Sequence, residues 1–218
     1  LSTPQNLPRN PMKPSSTPPQ THHIGIFGGS FNPVHLGHIA LAKQLLEQTY
    51  LEEIWFVVSP LNPFKKEACD LLDNEKRLEL TRLSLENEPG LIVSDFEFHL
   101  PKPSYTYRTL CELSKTYPDK DFTLIMGADN WLSFSHWDHH EDILRRYPIM
   151  VYPRPHHIVD PATLPPHVTL TNTPLYPFNS TDIRHCIRQG MPIRSMVKPE
   201  IEAKVVDYYR QLFQQQGQ

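Results

Sequence analysis

Two histidines follow a glycine pair in the stretch from Gly28 to His38, which reads GGSFNPVHLGH. The glycines allow the backbone to approach a ligand closely. The turn leads into a predicted helix over 36–48, whose first N–H groups have no partners within the helix and can bind an anion. His35 and His38 are three residues apart, so they share one side of the helix start. Two imidazoles beside a phosphate site can donate hydrogen bonds to charge that develops on phosphorus.

A second segment, Asn179 to Arg184, reads NSTDIR and has similar properties. Ser180 is predicted to be the N-cap of a helix over 180–189, with Thr181 opening that helix. The hydroxyls and Arg184 at a helix N-terminus would form a second phosphate site. The alternative is an ordinary capped helix with Arg184 in solvent.

The glycine pattern excludes two other phosphate-binding motifs. The sequence has no GxxxxGK[ST] motif, so it contains no P-loop. Gly25, Gly28 and Gly29 do not form GxGxxG, and the second predicted strand is followed by Ser59 where a dinucleotide-binding unit has an acidic residue.

Strands and helices alternate along the chain, which indicates the elements that position these segments. Their order predicts an α/β, Rossmann-like fold in one domain, a doubly wound, mainly parallel sheet with helices on both faces. Ligands of such sheets bind at the carboxyl ends of the strands. The predicted strands are 22–27, 53–58, 91–98 (broken near Ser94), 122–126, 149–152 and 168–170, and the predicted helices are 36–48, 73–87, 104–116, 139–146, 180–189 and 199–213.

Composition excludes several classes of protein. The formal net charge of -3 argues against a broad nucleic-acid-binding face. No apolar run approaches the roughly 18 residues of a membrane span. Three cysteines without a CxxC pair argue against a disulfide scaffold or a structural zinc site and favour a reducing compartment, which we take to be the cytoplasm.

The chain is predicted to divide into an extension and one domain. Residues 1–20 contain six prolines and no acidic residue, which predicts a disordered extension, and we expect the folded domain to span 21–215. The histidines and acids between His136 and Asp142 are predicted to form a solvated helix start, and we expect no metal site there.

The two phosphate-binding segments resemble known signatures. Gly28 to His38 resembles the GxFxPxHxGH signature of the nucleotidylyltransferases with an HxGH motif, and Ser180 to Arg184 resembles their STxIR motif. Ser104-Tyr105-Thr106, Gly127-Ala128-Asp129 and Trp137 are similar to the branch that adenylates nicotinate mononucleotide. The resemblance runs from about His22 to Tyr209.

The resemblance implies transfer of AMP from ATP to nicotinate mononucleotide, with Mg²⁺ carried mainly by the ATP phosphates. Neither nucleic acid nor a membrane is an expected partner, and a homo-oligomer is left open. The site residues implied are His35, His38 and Arg184 for catalysis; Gly28, Gly29, Ser30, Phe31, Gly37, Lys65, Arg154, Ser180 and Thr181 for ATP and its phosphates; and Thr106, Asp129 and Trp137 for the nicotinate nucleotide.

Two positions depart from the family pattern. Many relatives have a histidine before a basic residue where this chain has Phe64-Lys65, and Asp138 follows Trp137 where some relatives have an aromatic residue. We expect Asp138 to face solvent at the start of the next helix. The alternatives to this function are a sister enzyme that uses nicotinamide mononucleotide or phosphopantetheine, and a nucleotide-binding sensor without turnover.

Overall fold

The structure is a computed structural model that describes residues 21–60 and 70–216. Its centre is a six-stranded sheet in the order β3-β2-β1-β4-β5-β6, and every neighbouring pair is parallel. The order reverses beside β1, as in a doubly wound fold. The strands are β1 (His22–Gly29), β2 (Glu53–Val58), β3 (Leu91–Ser94), β4 (Lys120–Gly127), β5 (Ile149–Tyr152) and β6 (Val168–Leu170).

Helices cover both faces of this sheet, as the alternating pattern predicts. They are α1 (Leu36–Gln48), α2 (Asn74–Leu85), α3 (Thr106–Thr116), α4 (Ala128–Leu132), α5 (His140–Arg146), α6 (Ser180–Arg188) and α7 (Pro199–Gln216). Within the described ranges, no helix combines the length and apolar character needed to cross a membrane.

The core is divided into two layers by the alternation of side chains along each strand. In β2, Ile54, Phe56 and Val58 pack on one face, while Trp55 and Val57 pack on the other. The first face is covered by α1, α2, α6 and α7, and the second by α3 and α5. Each buried aliphatic side chain contributes roughly 1.5–3 kcal/mol, so both layers are needed for stability.

The observed elements differ from the predicted ones at several ends. β1 continues through Gly28 and Gly29 because both still pair with β2. The third strand ends at Ser94 and is followed by a 3-10 turn, Phe96–His99. Helix α4 was not predicted, because five residues are too few to show helical periodicity. The extension predicted over residues 1–20 lies outside the described residues.

The side chain of Asn32 connects the turn after β1 to two remote segments. Its Nδ2 donates to the Asp70 carbonyl at 2.9 Å, and its Oδ1 accepts from the Leu72 N–H at 3.0 Å. The same oxygen accepts from the Tyr209 hydroxyl of α7 at 2.5 Å. Tyr209 is completely buried and Asn32 nearly so. Helix α7 therefore contributes to holding the turn, although it is distant in sequence.

We predict that Tyr209→Phe lowers the free energy of unfolding by about 1 kcal/mol, because it removes one buried hydrogen bond and leaves the ring in place. Urea unfolding with an unchanged m value measures this. Tyr117→Phe is the matched control, since no hydrogen bond of the Tyr117 hydroxyl is seen in the described part of the chain, and its stability should change by less than about 0.5 kcal/mol. A Tyr209→Phe protein as stable as the wild type would contradict the prediction.

Candidate active site

The turn between β1 and α1 lies at the carboxyl edge of the sheet, beside the point where the strand order reverses. Gly28 is exposed there, and a Cβ at this position would meet no atom within 4 Å, so the backbone is open to a ligand. Ser30 and Phe31 are buried in the turn, and Phe31 has a left-handed backbone with a φ of 43°. The structure thus places four predicted phosphate-binding residues, Gly28, Gly29, Ser30 and Phe31, in one turn.

The two histidines stack on each other at the start of α1, with ring centroids 3.6 Å apart. His38 Nδ1 accepts a hydrogen bond from the His35 N–H at 3.2 Å, so in neutral His38 the proton lies on Nε2. Gly37 lies against the His35 ring, where a Cβ would come within 3.0 Å of it. His38 is the more exposed histidine of the pair.

His35 has a different electrostatic role from His38. It is 5% exposed. Burial, with a smaller effect from the positive charge of Arg154, lowers the pKa of His35 to about 3. His35 is therefore neutral at physiological pH, and its ring stacks on that of His38. The expectation that both histidines donate to phosphate stays a prediction, and His35 Nδ1, which has no hydrogen-bond partner among the described residues, lies in the lining of the cavity beside the turn.

The N-terminus of α6 adjoins the same turn. Asn179 is the N-cap, with its side chain accepting from the N–H groups of Thr181 and Asp182, so the prediction of Ser180 as N-cap was wrong. Ser180 is instead the first helical residue, and its hydroxyl donates to the Pro33 carbonyl at 2.9 Å. This hydrogen bond joins the two predicted phosphate-binding segments into one site.

Arg184 of α6 extends over the turn and is held by three acceptors. It donates to Asp70 Oδ2 at 2.7 Å, to the Asn32 carbonyl at 2.8 Å and to Thr181 Oγ1 at 3.2 Å. Its side chain is 13% exposed. The guanidinium is thus placed beside the signature turn, and the reading of Arg184 as a free solvent-exposed side chain is excluded.

Arg154, which follows β5, lies near the two histidines. His35, His38, Tyr152 and Arg154 line one cavity. Arg154 Nε lies 3.5 Å from Asp129 Oδ1, and Arg154 donates to the Tyr152 hydroxyl at 3.2 Å. Asp129 therefore fixes the orientation of Arg154 in this structure, in addition to its predicted contact with a ribose. Lys65 lies outside the described residues.

The predicted nicotinate-binding residues lie at the same edge of the sheet but on other loops. Thr106 is the first residue of α3, and Trp137 follows a 3-10 turn after α4 and packs on Phe134 with ring centroids 5.5 Å apart. Neither is among the residues that line the cavity beside His35. Their roles and those of the other site residues stay predictions.

Sequence reasoning missed Glu97 and Arg77, two buried charged residues near the site. Glu97 is 7% exposed, and its Oε1 accepts from Thr109 Oγ1 at 2.8 Å. Burial raises the pKa of Glu97, and the hydroxyls of Ser59 and Ser104 offset part of that effect. Neither residue lies in a recognisable motif. The sequence signal was a charged residue at a position that packs inward, which is visible only once the packing is known.

We predict a pH effect from the His35 pKa. The folded protein keeps His35 neutral down to about pH 3, whereas the unfolded chain protonates it below about 6.5, so acid favours unfolding. The contribution of the neutral His35 to the free energy of unfolding is complete above about pH 6.5 and is lost as the pH falls toward 3. Between pH 6 and pH 4, wild-type stability should fall by about 1.4 kcal/mol per pH unit more than that of His35→Gln.

Urea unfolding at a series of pH values measures this difference in slope. His167→Gln, which changes an exposed histidine, is the control and should keep the wild-type slope. Parallel stability curves for the wild type and His35→Gln would show that His35 is not kept neutral by the fold.

Comparison with known proteins agrees with the site geometry. Residues 26–186 match the model of the family described as "Cytidylyltransferase-like". A Bacteroides fragilis protein named "Probable nicotinate-nucleotide adenylyltransferase" is 47% identical over 182 residues, which cover 84% of this chain and 90% of that protein. A Bacteroides thetaiotaomicron protein with the same name is 44% identical, covering 86% of this chain and 92% of its own length.

A solved structure supports the fold independently. It is titled "Plasmodium falciparum nicotinic acid mononucleotide adenylyltransferase complexed with NaAD". It superposes with a TM-score of 0.71 at 20% identity and covers 87% of this chain and 95% of that one. Two helix N-termini meet at one turn. The sequence similarity to these relatives extends over most of each chain. The chain belongs to the cytidylyltransferase-like family and, within it, to the nicotinate-nucleotide adenylyltransferases.

Proposed function

We propose that the protein transfers the AMP group of ATP to the phosphate of nicotinate mononucleotide, giving deamido-NAD and pyrophosphate in NAD biosynthesis. The observation that carries the proposal is the junction of two helix N-termini at the signature turn, through the bond from Ser180 to the Pro33 carbonyl. Backbone N–H groups and helix dipoles favour a polyphosphate at that junction. The 47% identical relative supports the choice of acceptor.

The chemistry requires alignment of two anions more than activation of a nucleophile. A phosphate oxygen of the acceptor attacks the α-phosphorus, the bond from that phosphorus to the bridging oxygen breaks, and pyrophosphate leaves with the bond's electron pair. The attacking group is already an oxyanion, so neither a protein nucleophile nor a strong base is needed. The protein lowers the barrier by orientation and by stabilising developing charge.

Each polar side chain of the site has a role in this scheme. His38, with its proton on Nε2, donates to an oxygen on the α-phosphorus as charge increases there. Arg184 with the hydroxyls of Ser180 and Thr181 binds the departing pyrophosphate end. Arg154 contributes positive charge from the β5 side. The neutral His35 supports the His38 ring without adding a positive charge beside it.

We propose that Mg²⁺ enters the site bound to the ATP phosphates, where it neutralises part of their charge. Asp70 and Asp129 are the carboxylates in contact with the predicted phosphate-binding arginines. Asp70 is 2.7 Å from Arg184 and Asp129 is 3.5 Å from Arg154. A protein-held ion at either carboxylate would have to displace a guanidinium, so the donor set fits a metal carried by the substrate.

The acceptor side is proposed from the loops after β3 and β4. Trp137 stacks on the pyridine ring, and Thr106 with nearby backbone groups binds the nicotinate carboxylate. Asp138 is compatible with an anionic acceptor, because its side chain is 47% exposed and lies in a groove between α3 and α5 together with Tyr107 and Arg146. We place the reaction in the cytoplasm, in keeping with the free thiols of Cys111 and Cys186.

We predict a preference for nicotinate over nicotinamide mononucleotide. Donors arranged for a carboxylate would face an NH₂ group in the amide, and one such mismatch costs about 1–3 kcal/mol, or up to about a hundredfold in kcat/KM. Pyrophosphate release from ATP with each acceptor, and with phosphopantetheine, measures this. Equal efficiencies or a preference for the amide would refute the nicotinate assignment, and ATP binding without pyrophosphate release would identify a sensor.

Removal of the His38 side chain should reduce turnover about a hundredfold or more, since one donor to the transition state is lost, while ATP affinity falls much less. Steady-state kinetics of His38→Ala with a separate ATP-binding measurement tests this. His167→Ala, at an exposed position before β6, is the control. Near wild-type turnover of His38→Ala would show that His38 is not catalytic.

A further inference from the structure

Arg77, in α2, is a charged side chain with no exposed surface. Its guanidinium makes no ion pair with any described carboxylate and instead donates to oxygens of the chain. Nε donates to the Leu72 carbonyl at 2.9 Å, and Nη2 donates to Asn74 Oδ1 at 2.6 Å. Nη1 donates to two carbonyls, Ser30 at 2.5 Å and Ser59 at 2.9 Å. Burial of an unpaired charge is costly, and an apolar side chain could fill the same space, so packing alone does not explain this residue.

The two carbonyls that share Nη1 lie at the ends of two neighbouring strands of the sheet. Ser30 belongs to the signature turn after β1, and Ser59 directly follows β2. A single nitrogen therefore fixes the separation of these two turns. Burial lowers the pKa of Arg77 to about 10, which still leaves the guanidinium charged at neutral pH.

The bond to Ser30 also determines where the next N–H points. In a trans peptide the C=O and N–H groups point in opposite directions. With the Ser30 oxygen turned inward to Arg77, the N–H of Phe31 points away from Arg77. Within 21–60 and 70–216 that N–H has no hydrogen-bond acceptor in the protein, and the left-handed φ of 43° at Phe31 requires outside support to persist.

We propose that Arg77 is a positioning residue: by holding the carbonyls of Ser30 and Ser59, it aims the Phe31 N–H at a substrate phosphate and fixes the signature turn against the end of β2. Arg77 cannot touch substrate, because it is fully enclosed. This inference rests on the proposed adenylyl transfer, and it adds a residue outside both sequence motifs to the phosphate-binding machinery.

The kinetic test uses Arg77→Lys and Arg77→Ala, with Arg82→Ala as the matched control on the same helix. Arg82 is 56% exposed, and among the described residues its side chain bonds only Asp95 at the surface. Misplacement of a phosphate-binding group by about 1 Å costs on the order of a hundredfold in rate, so kcat should fall about that much in Arg77→Lys while the variant stays folded. Arg82→Ala should keep wild-type kcat.

Chemical rescue separates positioning from a merely structural role. Millimolar guanidinium should restore kcat of Arg77→Ala about tenfold or more by occupying the vacated space, and urea at the same concentration should not. If Arg77 served stability alone, guanidinium would only destabilise the variant further. Wild-type kcat in the folded Arg77 variants would overturn the proposal.

A second measurement does not depend on the variants folding or on the acceptor. Titration of ¹⁵N-labelled wild-type protein with pyrophosphate should shift the Phe31 amide resonance among the most affected signals. An unshifted Phe31 amide in a protein that binds pyrophosphate, or failure to bind it at all, would overturn the proposal. An active wild type with unaffected Arg77 variants would refute only this inference, whereas a wild type inactive with every acceptor would refute the proposed function.

Discussion

The structure depends on how the turn after β1 is held in an unfavourable backbone conformation. Phe31 has a left-handed φ of 43°, and such residues persist only where their surroundings determine them. Arg77 holds the carbonyl before Phe31, and Arg184 holds the carbonyl after it at Asn32. The Asn32 side chain is held in turn by Tyr209. Helices α2, α6 and α7 thus all support the turn between β1 and α1.

The charges of the site are arranged before any substrate binds. Arg184 faces Asp70 and Arg154 faces Asp129, so each guanidinium is oriented by a carboxylate while it remains near the turn. In the stacked pair of His35 and His38, burial keeps the His35 ring neutral. Preorganised donors of this kind stabilise developing charge without the cost of reorganising during the reaction.

Much of this arrangement could be predicted from the sequence, and the exceptions have physical reasons. The bounds of α1, β2, β5 and β6 follow from periodicity and from the prolines and glycines that end these elements. The two phosphate-binding segments were found because helix N-termini have recognisable residues. Asn179, not Ser180, is the N-cap, since both residue types can cap a helix and only the geometry decides between them. Arg77 and Glu97 were missed because their partners are backbone carbonyls and hydroxyls far away in sequence.

The central claim is that the protein aligns two phosphates for one direct displacement and supplies no nucleophile of its own. The stereochemistry at the α-phosphorus tests this most directly. With a single diastereomer of ATP that carries sulfur on the α-phosphorus, adenylyl transfer to nicotinate mononucleotide should invert the configuration, because one in-line displacement inverts it once. Retention of configuration would require two displacements through a covalent adenylyl-enzyme and would contradict the account.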